Sequence, residues 1–547
     1  MEPFKAELAR PPKFALLVLA LIFLAALGGR LYLLHTYPHV LFLHEADFQV
    51  YFANARSIIA THSLSGISIE HPPFYSFLIV LAYPFSSDIE SAARLVSAVM
   101  GGLLVVPVYF LCRQVAGWRI ALITAATVAS FGVSLDYSQQ PITISTYLTL
   151  IMGCMASAMA TATGPTRLRA ALTGFLCGTL YLTRPEGIIV FGYLALVFAG
   201  VYATAPGEVP LNVRLRAYGT FCFVYLLTIM PYLVFIRVRN GQWMLSGKAR
   251  TVILGVDGGA KLQADGRTLV ESVGKETGIA NLVPSLSDLA SNFFRGLSNF
   301  ARLIPENLPV VLLWCALLGA MLTVGMTMRA KSGERRMMFW KLALLLTGCV
   351  AVLPAFAFPG LSVVVSYILP VFPLLLFFIC AAFRWCELII ARVMQGIPSA
   401  ASFLTGYAPL SIICAGVLCF SLAIPYVQSV SSAEYRFYCA SQEFFIKDTG
   451  LWLKHTTPPD AVVMTRWGLI GHYAERPWAG LVDGEIQEVI DYARKHSVRY
   501  IVIDSNSVPR RRPKLEPLLD PNAGVPGLRP VYARMEYGIL IIIYEMA

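Results

Sequence analysis

Charged residues are scarce in this sequence of 547 residues. Asp, Glu, Lys and Arg make up 14% of the chain, whereas about a quarter is typical of soluble domains. Hydrophobic residues make up 57%, and they gather in many runs of about 16–22 residues, the length that crosses a hydrocarbon core of ~30 Å. This composition excludes an ordinary soluble domain and predicts a polytopic α-helical membrane protein.

Several motifs of soluble proteins are also missing. The eleven cysteines lie almost entirely within apolar runs and form no Cys-x-x-Cys pair, so neither a disulfide framework nor a cysteine metal site is indicated. The net charge is +11, but the basic residues lie largely in short loops between apolar runs. That placement is typical of membrane topology and contact with lipid headgroups, and no nucleic-acid partner is predicted.

The apolar runs predict about eleven membrane spans. They cover residues 14–34, 95–111, 120–135, 142–161, 170–183, 188–202, 217–235, 308–328, 342–358, 361–383 and 410–427. Every second connection is rich in Lys and Arg, which places the N-terminus in the cytoplasm and the C-terminus outside. We therefore expect a membrane domain over residues 1–427, with large outer loops at 35–94 and 237–306, and an extracytoplasmic domain over 428–547.

The last 120 residues, 428–547, predict a small α/β domain. Apolar, β-branched runs indicate strands at 462–465, 498–504 and 538–544. Residues 485–496 carry apolar side chains on one face of a helix. A helix followed closely by a strand favours parallel pairing of the strands around it.

The first outer loop predicts two helices lying at the outer membrane surface. Residues 48–60 are amphipathic at helical spacing, and residues 74–85 form an apolar stretch behind two prolines. The second stretch has about 12 residues, which is too short to span a bilayer. If it did span, every later basic loop would face outward, so the charge pattern favours the surface location.

Two acids, Glu45 and Asp47, follow the first span directly. Ionised acids at the outer end of a membrane helix bundle cost free energy unless water solvates them or they have a role in binding or catalysis. Asp47 precedes Tyr51 at helical spacing, so it would lie at a helix N-terminus, where a carboxylate stays ionised and can act as a general base. A solvated turn would explain the same two residues.

Glu70 and His71 stand directly before the proline pair at positions 72–73. A helix N-terminus beside a cation suits an anionic group such as phosphate. The two side chains are also compatible with a divalent metal, although two neighbouring ligands are a weak signal. Simple helix capping is the third interpretation.

Further cations lie at the outer boundary. Arg184 and Glu186 stand between two apolar runs, where a guanidinium could bind phosphate or form an ordinary interfacial ion pair. Lys248 and Arg250 belong to the second outer loop, which carries positive charge against the usual rule and so suggests an anionic partner. Long loops also translocate regardless of charge, which is the alternative interpretation.

Together these elements resemble the GT-C glycosyltransferases, in particular the bacterial relatives of the dolichyl-phosphate-mannose–protein mannosyltransferases and of the aminoarabinose transferase. The matching residues are Asp47, Tyr51, Ala55 and Arg56 of an acidic motif, His-Pro-Pro at 71–73, Leu-Thr-Arg-Pro-Glu-Gly at 182–187, Ser-Tyr-Ile-Leu-Pro-Val-Phe-Pro at 366–373, and the tail segment 452–463. The resemblance covers nearly the whole chain and implies the GT-C fold.

This sequence departs from the family pattern at two places. The usual Asp-Glu pair is replaced by Glu45-Ala46-Asp47, so either acid could be the base, and the spacing to Tyr51 favours Asp47. Ser366 stands where relatives carry an arginine. A phosphate contact made there in relatives is therefore missing or supplied elsewhere.

The resemblance implies an inverting hexosyl- or pentosyltransferase that uses a polyprenyl-phosphate sugar, with undecaprenyl phosphate as the carrier in a bacterium. The acceptor would be a glycan, a lipid or a protein at the periplasmic face of a multi-pass inner-membrane protein. The implied roles are a base at Asp47 or Glu45, phosphate binding by His71, Arg184, Lys248 and Arg250, and substrate binding by Glu70, Tyr51 and Tyr367. No cofactor is required, and a divalent metal at Glu70 stays open.

Two other classes of function remain as alternatives. A transporter or flippase for a lipid-linked sugar would need polar groups near the bilayer midplane or inverted repeats, and neither is evident in the sequence. A non-catalytic glycan-binding scaffold would be consistent with the altered acidic pair and with Ser366.

Overall fold

The computed structural model describes residues 11–37, 48–64, 66–69, 71–204, 209–241, 243–246, 286–328, 332–353, 365–394, 409–536 and 538–547. The chain divides into two compact units. The membrane unit comprises Met1–Pro38, Asn54–Ala249 and Asp288–Val430, and the tail unit comprises His39–Ala53, Arg250–Ser287 and Ser431–Ala547.

Helices make up the described part of the chain before the sheet of the tail. In chain order they are α1 (Lys13–Thr36), α2 (Phe48–Thr61), α3 (Phe74–Ala82), α4 (Ile89–Leu103), α5 (Val105–Ala116), α6 (Trp118–Ser130), α7 (Gly132–Tyr137), α8 (Ile144–Thr163), α9 (Arg167–Thr183), α10 (Gly187–Thr204), α11 (Leu211–Asn240), α12 (Leu286–Asn307), α13 (Val310–Met328), α14 (Ser332–Leu345), α15 (Thr347–Val350), α16 (Val365–Ile368), α17 (Phe372–Val393), α18 (Pro409–Ser431) and α19 (Ala433–Thr456). Short 3₁₀ turns follow α3 and α16, at Tyr83–Phe85 and Leu369–Val371.

Within the described ranges, seven helices are long and apolar enough to cross a membrane, or eight if the bent pair Ala290–Asn307 and Val310–Gly325 is one span. The sequence-based count of eleven is higher because it includes shorter segments. The expected span 120–135 is divided at Phe131 into α6 and α7, and the 13 residues of α6 reach only about 20 Å. The predicted multi-pass helical fold is confirmed.

A buried arginine ties the first span to the end of α6 and to the residue that follows α7. Arg30 is fully buried in α1; its Nε donates to Ser138 Oγ at 3.0 Å, and its Nη1 donates to the Ala129 carbonyl at 3.2 Å. Gly101 of α4 faces the same pair, and a Cβ there would collide with the Ser138 side chain. These hydrogen bonds to neutral oxygens replace the bonds to water that the buried guanidinium has lost. They also fix the segment that leads into α8.

The tail unit contains a five-stranded sheet in the order β2-β1-β3-β5-β4. Its strands are β1 (Val462–Thr465), β2 (Trp478–Gly480), β3 (Val498–Asp504), β4 (Leu528–Glu536) and β5 (Ile539–Met546), and its helices are α20 (Gly468–Ala474), α21 (Ile486–Lys495) and α22 (Val508–Arg511), followed by a 3₁₀ turn at Pro513–Leu519. Strands β2, β1 and β3 are parallel, whereas β5 runs antiparallel to β3 and β4. The predicted α/β tail and its parallel pairing are confirmed.

Helix α21 shows how local sequence sets this fold. Glu485 caps its first turn, and Glu488 reaches back to the backbone N–H of Glu485 at 2.8 Å, which makes a capping box. Val489, Ile490 and Ala493 are buried against the sheet, on the apolar face that the helical spacing predicts.

Candidate active site

The loop between α9 and α10 presents Arg184. Pro185 disfavours helical backbone in the preceding residue, and Arg184 is extended, with φ −145° and ψ 132°. The turn is closed by two backbone hydrogen bonds of 3.0 Å, from Arg184 N to the Leu180 carbonyl and from Gly187 N to the Arg184 carbonyl. The Leu-Thr-Arg-Pro-Glu-Gly motif thus ends α9 and begins α10 within a few residues.

Aromatic rings and one carboxylate surround the Arg184 guanidinium. Its carbon lies 4.9 Å from the ring centre of Tyr367 and 5.8 Å from that of Tyr147. Its Nη1 donates to Thr143 Oγ1 at 3.5 Å, and its Nε lies 3.7 Å from Glu186 Oε2. Arg184 is 7% exposed, so this cation is largely desolvated and fixed in direction, as recognition of an oxyanion requires. We call this arrangement the arginine site.

A polar network holds the loop before α8 and so supports the arginine site. Arg94 pairs with Glu90 at 2.8 Å, and its Nη1 donates to the Gln139 carbonyl at 3.2 Å. Ser97 Oγ donates to the Ile142 carbonyl at 3.1 Å. Helix α4 therefore fixes the chain just before Thr143, the residue that contacts Arg184.

His71 is buried, with 6% of its surface exposed, and it stands two residues before the N-cap of α3, Pro73. The chain just ahead of it is anchored to α11, because Tyr232 Oη donates to the Ile69 carbonyl at 3.2 Å. The ring of Tyr232 also packs edge-on against that of Tyr181 at 6.3 Å. His71 and Arg184 thus both belong to the membrane unit, each held by its own set of contacts.

The helix behind the acidic motif forms as predicted, as α2. Phe48, Tyr51 and Phe52 in its first turns are buried. Phe52 packs against His472 of α20, with ring centres 5.1 Å apart. The start of α2 therefore belongs to the tail unit, and Tyr51 lies in its packed interior.

Five predicted site residues lie outside the described residues. They are Glu45, Asp47, Glu70, Lys248 and Arg250. Their roles stay predictions, as does a metal at Glu70. Among the residues that the structure describes, no group of three His, Cys, Asp or Glu side chains could hold a metal ion.

Ser366 occupies the position where GT-C relatives are expected to carry arginine. It is 3% exposed, and its buried Oγ makes no hydrogen bond to any described residue. The next residue, Tyr367, lies against the Arg184 guanidinium. A guanidinium is therefore present beside this position, although it comes from a different part of the chain.

Comparison with known proteins agrees with this architecture. Residues 70–235 match the family model of dolichyl-phosphate-mannose-protein mannosyltransferases. ArnT from Cupriavidus metallidurans bound to undecaprenyl phosphate superposes with a TM-score of 0.56 at 15% identity, over 97% of both chains. The Archaeoglobus fulgidus oligosaccharyltransferase in the apo form gives a TM-score of 0.53 at 15% identity, over 91% of this chain and 70% of the other. No curated protein matches by sequence.

The chain has the GT-C fold. The GT-C fold that the resemblance implies is thereby confirmed. The matched segment 70–235 contains His71, Arg184, Tyr147 and Thr143, so the described part of the arginine site, Tyr367 apart, lies where the family model matches.

Sequence reasoning missed one buried acid, Asp136 in α7. Its Oδ2 accepts a hydrogen bond from Gln140 Nε2 at 2.8 Å, whereas its buried Oδ1 accepts none from the described residues. Desolvation raises the pKa of Asp136 to about 7, against the opposing effect of the Gln140 hydrogen bond. The sequence feature that could have identified Asp136 is its position as a single acid in an otherwise neutral stretch after the third apolar run.

Asp136→Asn is expected to stabilise the protein at pH 8 by about 2–4 kcal/mol and to change little at pH 4. The folded-state pKa lies above the unfolded value, so wild-type stability falls as pH rises from about 4 to about 7. Thermal unfolding of both proteins in detergent across this range measures the difference. A pH-independent gap would contradict the raised pKa, and Asp448→Asn, which alters an exposed acid of α19, is the control.

Gly187→Ala is expected to damage the arginine site. A Cβ at Gly187 would lie 2.6 Å from the backbone N and 2.8 Å from the Cα of Tyr181, and backbone atoms cannot move aside as a flexible side chain can. The matched control is Gly192→Ala in the same helix, where a Cβ meets nothing within 4 Å. We expect a loss of about 1–3 kcal/mol for Gly187→Ala and a neutral or stabilising effect for Gly192→Ala, measured by thermal unfolding. Equal melting temperatures for the two variants would refute the close approach.

Proposed function

We propose that this protein is an inverting glycosyltransferase that moves a sugar from a polyprenyl-phosphate donor to an acceptor hydroxyl at the outer face of the membrane. The observation that carries the proposal is the arginine site: a desolvated guanidinium held against Tyr367, within the segment that matches the mannosyltransferase family. A buried, oriented guanidinium suits the phosphate of a lipid-linked donor.

The reaction would proceed in one displacement. The acceptor hydroxyl oxygen attacks the anomeric carbon, the bond from that carbon to the phosphate oxygen breaks, and the hydroxyl proton passes to Asp47 or Glu45. The lipid phosphate leaves with the bonding electron pair. Arg184 and His71, joined by Lys248 or Arg250, would stabilise its charge, because fixed positive charge where negative charge develops is usually the largest catalytic term.

The donor class follows from the location of the chemistry. No nucleotide-sugar pool exists outside the cytoplasmic membrane, so an activated sugar must arrive there on a lipid. ArnT, which shares the fold, binds undecaprenyl phosphate, and we extend that carrier to this chain. Glu70, Tyr51 and Tyr367 would contact the substrates. With two or three cations on a monophosphate leaving group, we expect turnover without a cofactor, and chelation of divalent cations tests that expectation.

The test is a transfer assay in detergent with a panel of polyprenyl-phosphate sugars and varied acceptors. We expect Asp47→Asn to abolish release of free polyprenyl phosphate while donor binding is kept. Glu45→Gln is the matched control, since it removes the neighbouring acid only, and it should keep most of the activity because its spacing to Tyr51 is wrong for the base.

The reverse result, with loss only in Glu45→Gln, would move the base to Glu45. Equal turnover in wild type and in both variants would refute an acidic base in this motif. Donor flux across sealed vesicles without any acceptor, and without release of polyprenyl phosphate, would replace the proposal with a transporter.

A further inference from the structure

Buried polar atoms that lack a hydrogen-bond partner collect in one short segment of the membrane unit, residues 136–146. Among the described residues, this segment contributes Asp136 Oδ1, Gln139 Oε1, Gln140 Oε1 and Thr146 Oγ1. Folded proteins rarely leave such atoms unpaired, because a buried polar group that has lost its water costs free energy. A ligand or an ordered water that brings hydrogen-bond donors is therefore expected here.

Two of these atoms belong to one hydrogen-bonded pair of side chains. Gln140 is fully buried, and its Nε2 donates to Asp136 Oδ2 at 2.8 Å. An ionised carboxylate only accepts hydrogen bonds, so the amide nitrogen must face Asp136. Asp136 Oδ1 and Gln140 Oε1 are then two acceptors with no donor among the described residues. They lie within about 7 Å of each other, since each is bonded through one carbon to an atom of that hydrogen bond. We call Asp136 and Gln140 the amide–carboxylate pair.

Two buried arginines hold the backbone between the members of this pair. Arg30 of α1 donates to Ser138 Oγ at 3.0 Å, and Arg94 of α4 donates to the Gln139 carbonyl at 3.2 Å. Both guanidinium groups therefore act on the two residues that lie between Asp136 and Gln140 in the chain. The amide–carboxylate pair is thus fixed in place by contacts that leave its two acceptors unused, as a preorganised binding group requires.

The pair lies close to the arginine site. The Ile142 N–H donates to the Gln140 carbonyl at 2.9 Å, which closes a turn just before Thr143. Thr143 Oγ1 in turn accepts from Arg184 Nη1 at 3.5 Å. Thr143 is three residues beyond Gln140, so their Cα atoms would be at most about 11 Å apart in an extended chain, and the turn shortens that separation. A sugar joined to a phosphate at Arg184 would therefore lie in the neighbourhood of the pair.

The chemistry of the pair selects a ligand that donates hydrogen bonds. A carboxylate oxygen and an amide oxygen both accept, so an ionised phosphate, which also only accepts, does not match them. Ca²⁺ and Mg²⁺ take about six or more oxygen ligands, and the pair supplies two. Neighbouring hydroxyl groups of a sugar each donate one hydrogen bond, so two of them satisfy both acceptors at once.

We propose that the amide–carboxylate pair, Asp136 and Gln140, binds two neighbouring hydroxyl groups of the polyprenyl-phosphate sugar and so determines which sugar the protein accepts. The inference deepens the proposed function and rests on it for the presence of a lipid-linked sugar. The substrate class is then a polyprenyl-phosphate sugar with two adjacent free hydroxyl groups.

The test is equilibrium binding to the full-length protein in detergent at pH 8, above the pKa of Asp136 of about 7. The probes are undecaprenyl phosphate and undecaprenyl phosphate that carries glucose, galactose, mannose or arabinose. For the sugar that binds best, we expect at least about tenfold tighter binding than for undecaprenyl phosphate. Asp136→Asn and Gln140→Leu should each remove most of this gain and leave the affinity for undecaprenyl phosphate unchanged.

Stability and a matched control separate recognition from general damage. Asp136→Asn is expected to be more stable than wild type at pH 8, so unfolding cannot explain a loss of sugar binding in this variant. The control is Gln114→Leu, which removes an amide that donates to the carbonyls of Phe110 and Ala156. This variant should keep the whole gain.

Deoxy analogues of the sugar that binds best locate the contact. Removing a hydroxyl group that the pair binds should weaken wild-type binding about tenfold and should not weaken Gln140→Leu further, because that hydrogen bond is already lost. Equal weakening of both proteins by every analogue would overturn the proposal, as would a full sugar gain in Asp136→Asn and Gln140→Leu.

The remaining outcomes identify another occupant or a failure of the proposed function. Loss of the sugar gain on chelation with EDTA would assign the pair to a divalent cation and overturn the proposal. Binding of undecaprenyl phosphate with no gain from any sugar would leave the pair to ordered water and count against the subsite alone. Failure of undecaprenyl phosphate itself to bind would count against the proposed function and remove the basis of the subsite.

Discussion

Replacing Arg184 by lysine is expected to lower kcat/KM for sugar transfer at least about 100-fold, a loss of the size seen when one transition-state donor is removed. Lysine keeps the charge but loses the planar group that lies on Tyr367 and is directed by Thr143 and Glu186. A point charge cannot replace a two-pronged contact to phosphate. The measurement is release of polyprenyl phosphate as the donor concentration is varied at a fixed, saturating acceptor concentration.

Two control variants separate this effect from general damage. Arg302→Lys alters an exposed arginine of α12, whose pair with Glu306 is 3.7 Å long, and should keep full activity. Tyr367→Phe keeps the ring that contacts Arg184 and should cost far less than Tyr367→Leu. Full activity of Arg184→Lys, or a loss matched by Arg302→Lys, would show that the guanidinium does not bind the leaving phosphate.

Sequence patterns predicted those helices and strands whose residues show a clear hydrophobic period over a few neighbouring positions. Strands β1 and β3 form at the predicted residues because continuous β-branched runs are bounded by polar loops. Strand β2 was missed because it has three residues, 478–480, too few to show a period. Strand β4 was missed because Arg529, Pro530 and Arg534 make an edge strand that looks like a loop.

The arginine site shows where sequence reasoning ends. The motifs containing Arg184 and Tyr367 were each recognised, but they are far apart in the chain, and no local pattern states that they touch. Their contact depends on how α8, α9 and the segment after α16 pack together. Asp136 was missed for a related reason, since its raised pKa arises from burial by neighbours that are distant in sequence.

Positive charge also misled the sequence reading at one point. The expected span 361–383 ends just before Arg384, which makes that arginine part of a basic connection, but Arg384 lies inside α17 and is fully buried. It forms a 2.7 Å ion pair with Glu387, which is also fully buried. This arginine therefore marks a packed polar contact between helices.

Glu387→Ala is expected to destabilise the protein by about 3–5 kcal/mol, because it leaves Arg384 as an uncompensated buried charge. Glu387 also holds the first turn of α18: its Oε1 accepts from the Leu410 backbone N–H at 3.0 Å, and its Oε2 accepts from Ser411 Oγ at 2.6 Å. Thermal unfolding in detergent measures the loss.

The double variant Arg384→Met/Glu387→Leu tests the cause of that loss. Apolar side chains of similar volume remove both charges together, and such exchanges of a buried pair are often neutral or stabilising. We therefore expect the double variant to recover most of the stability lost in Glu387→Ala, with the remaining deficit set by Leu410 and Ser411, which lose their acceptor. A double variant as unstable as Glu387→Ala would mean that the cap on α18, and not the buried charge, dominates. Glu387→Gln then separates the two effects, because the amide keeps an acceptor for α18 and removes only the charge.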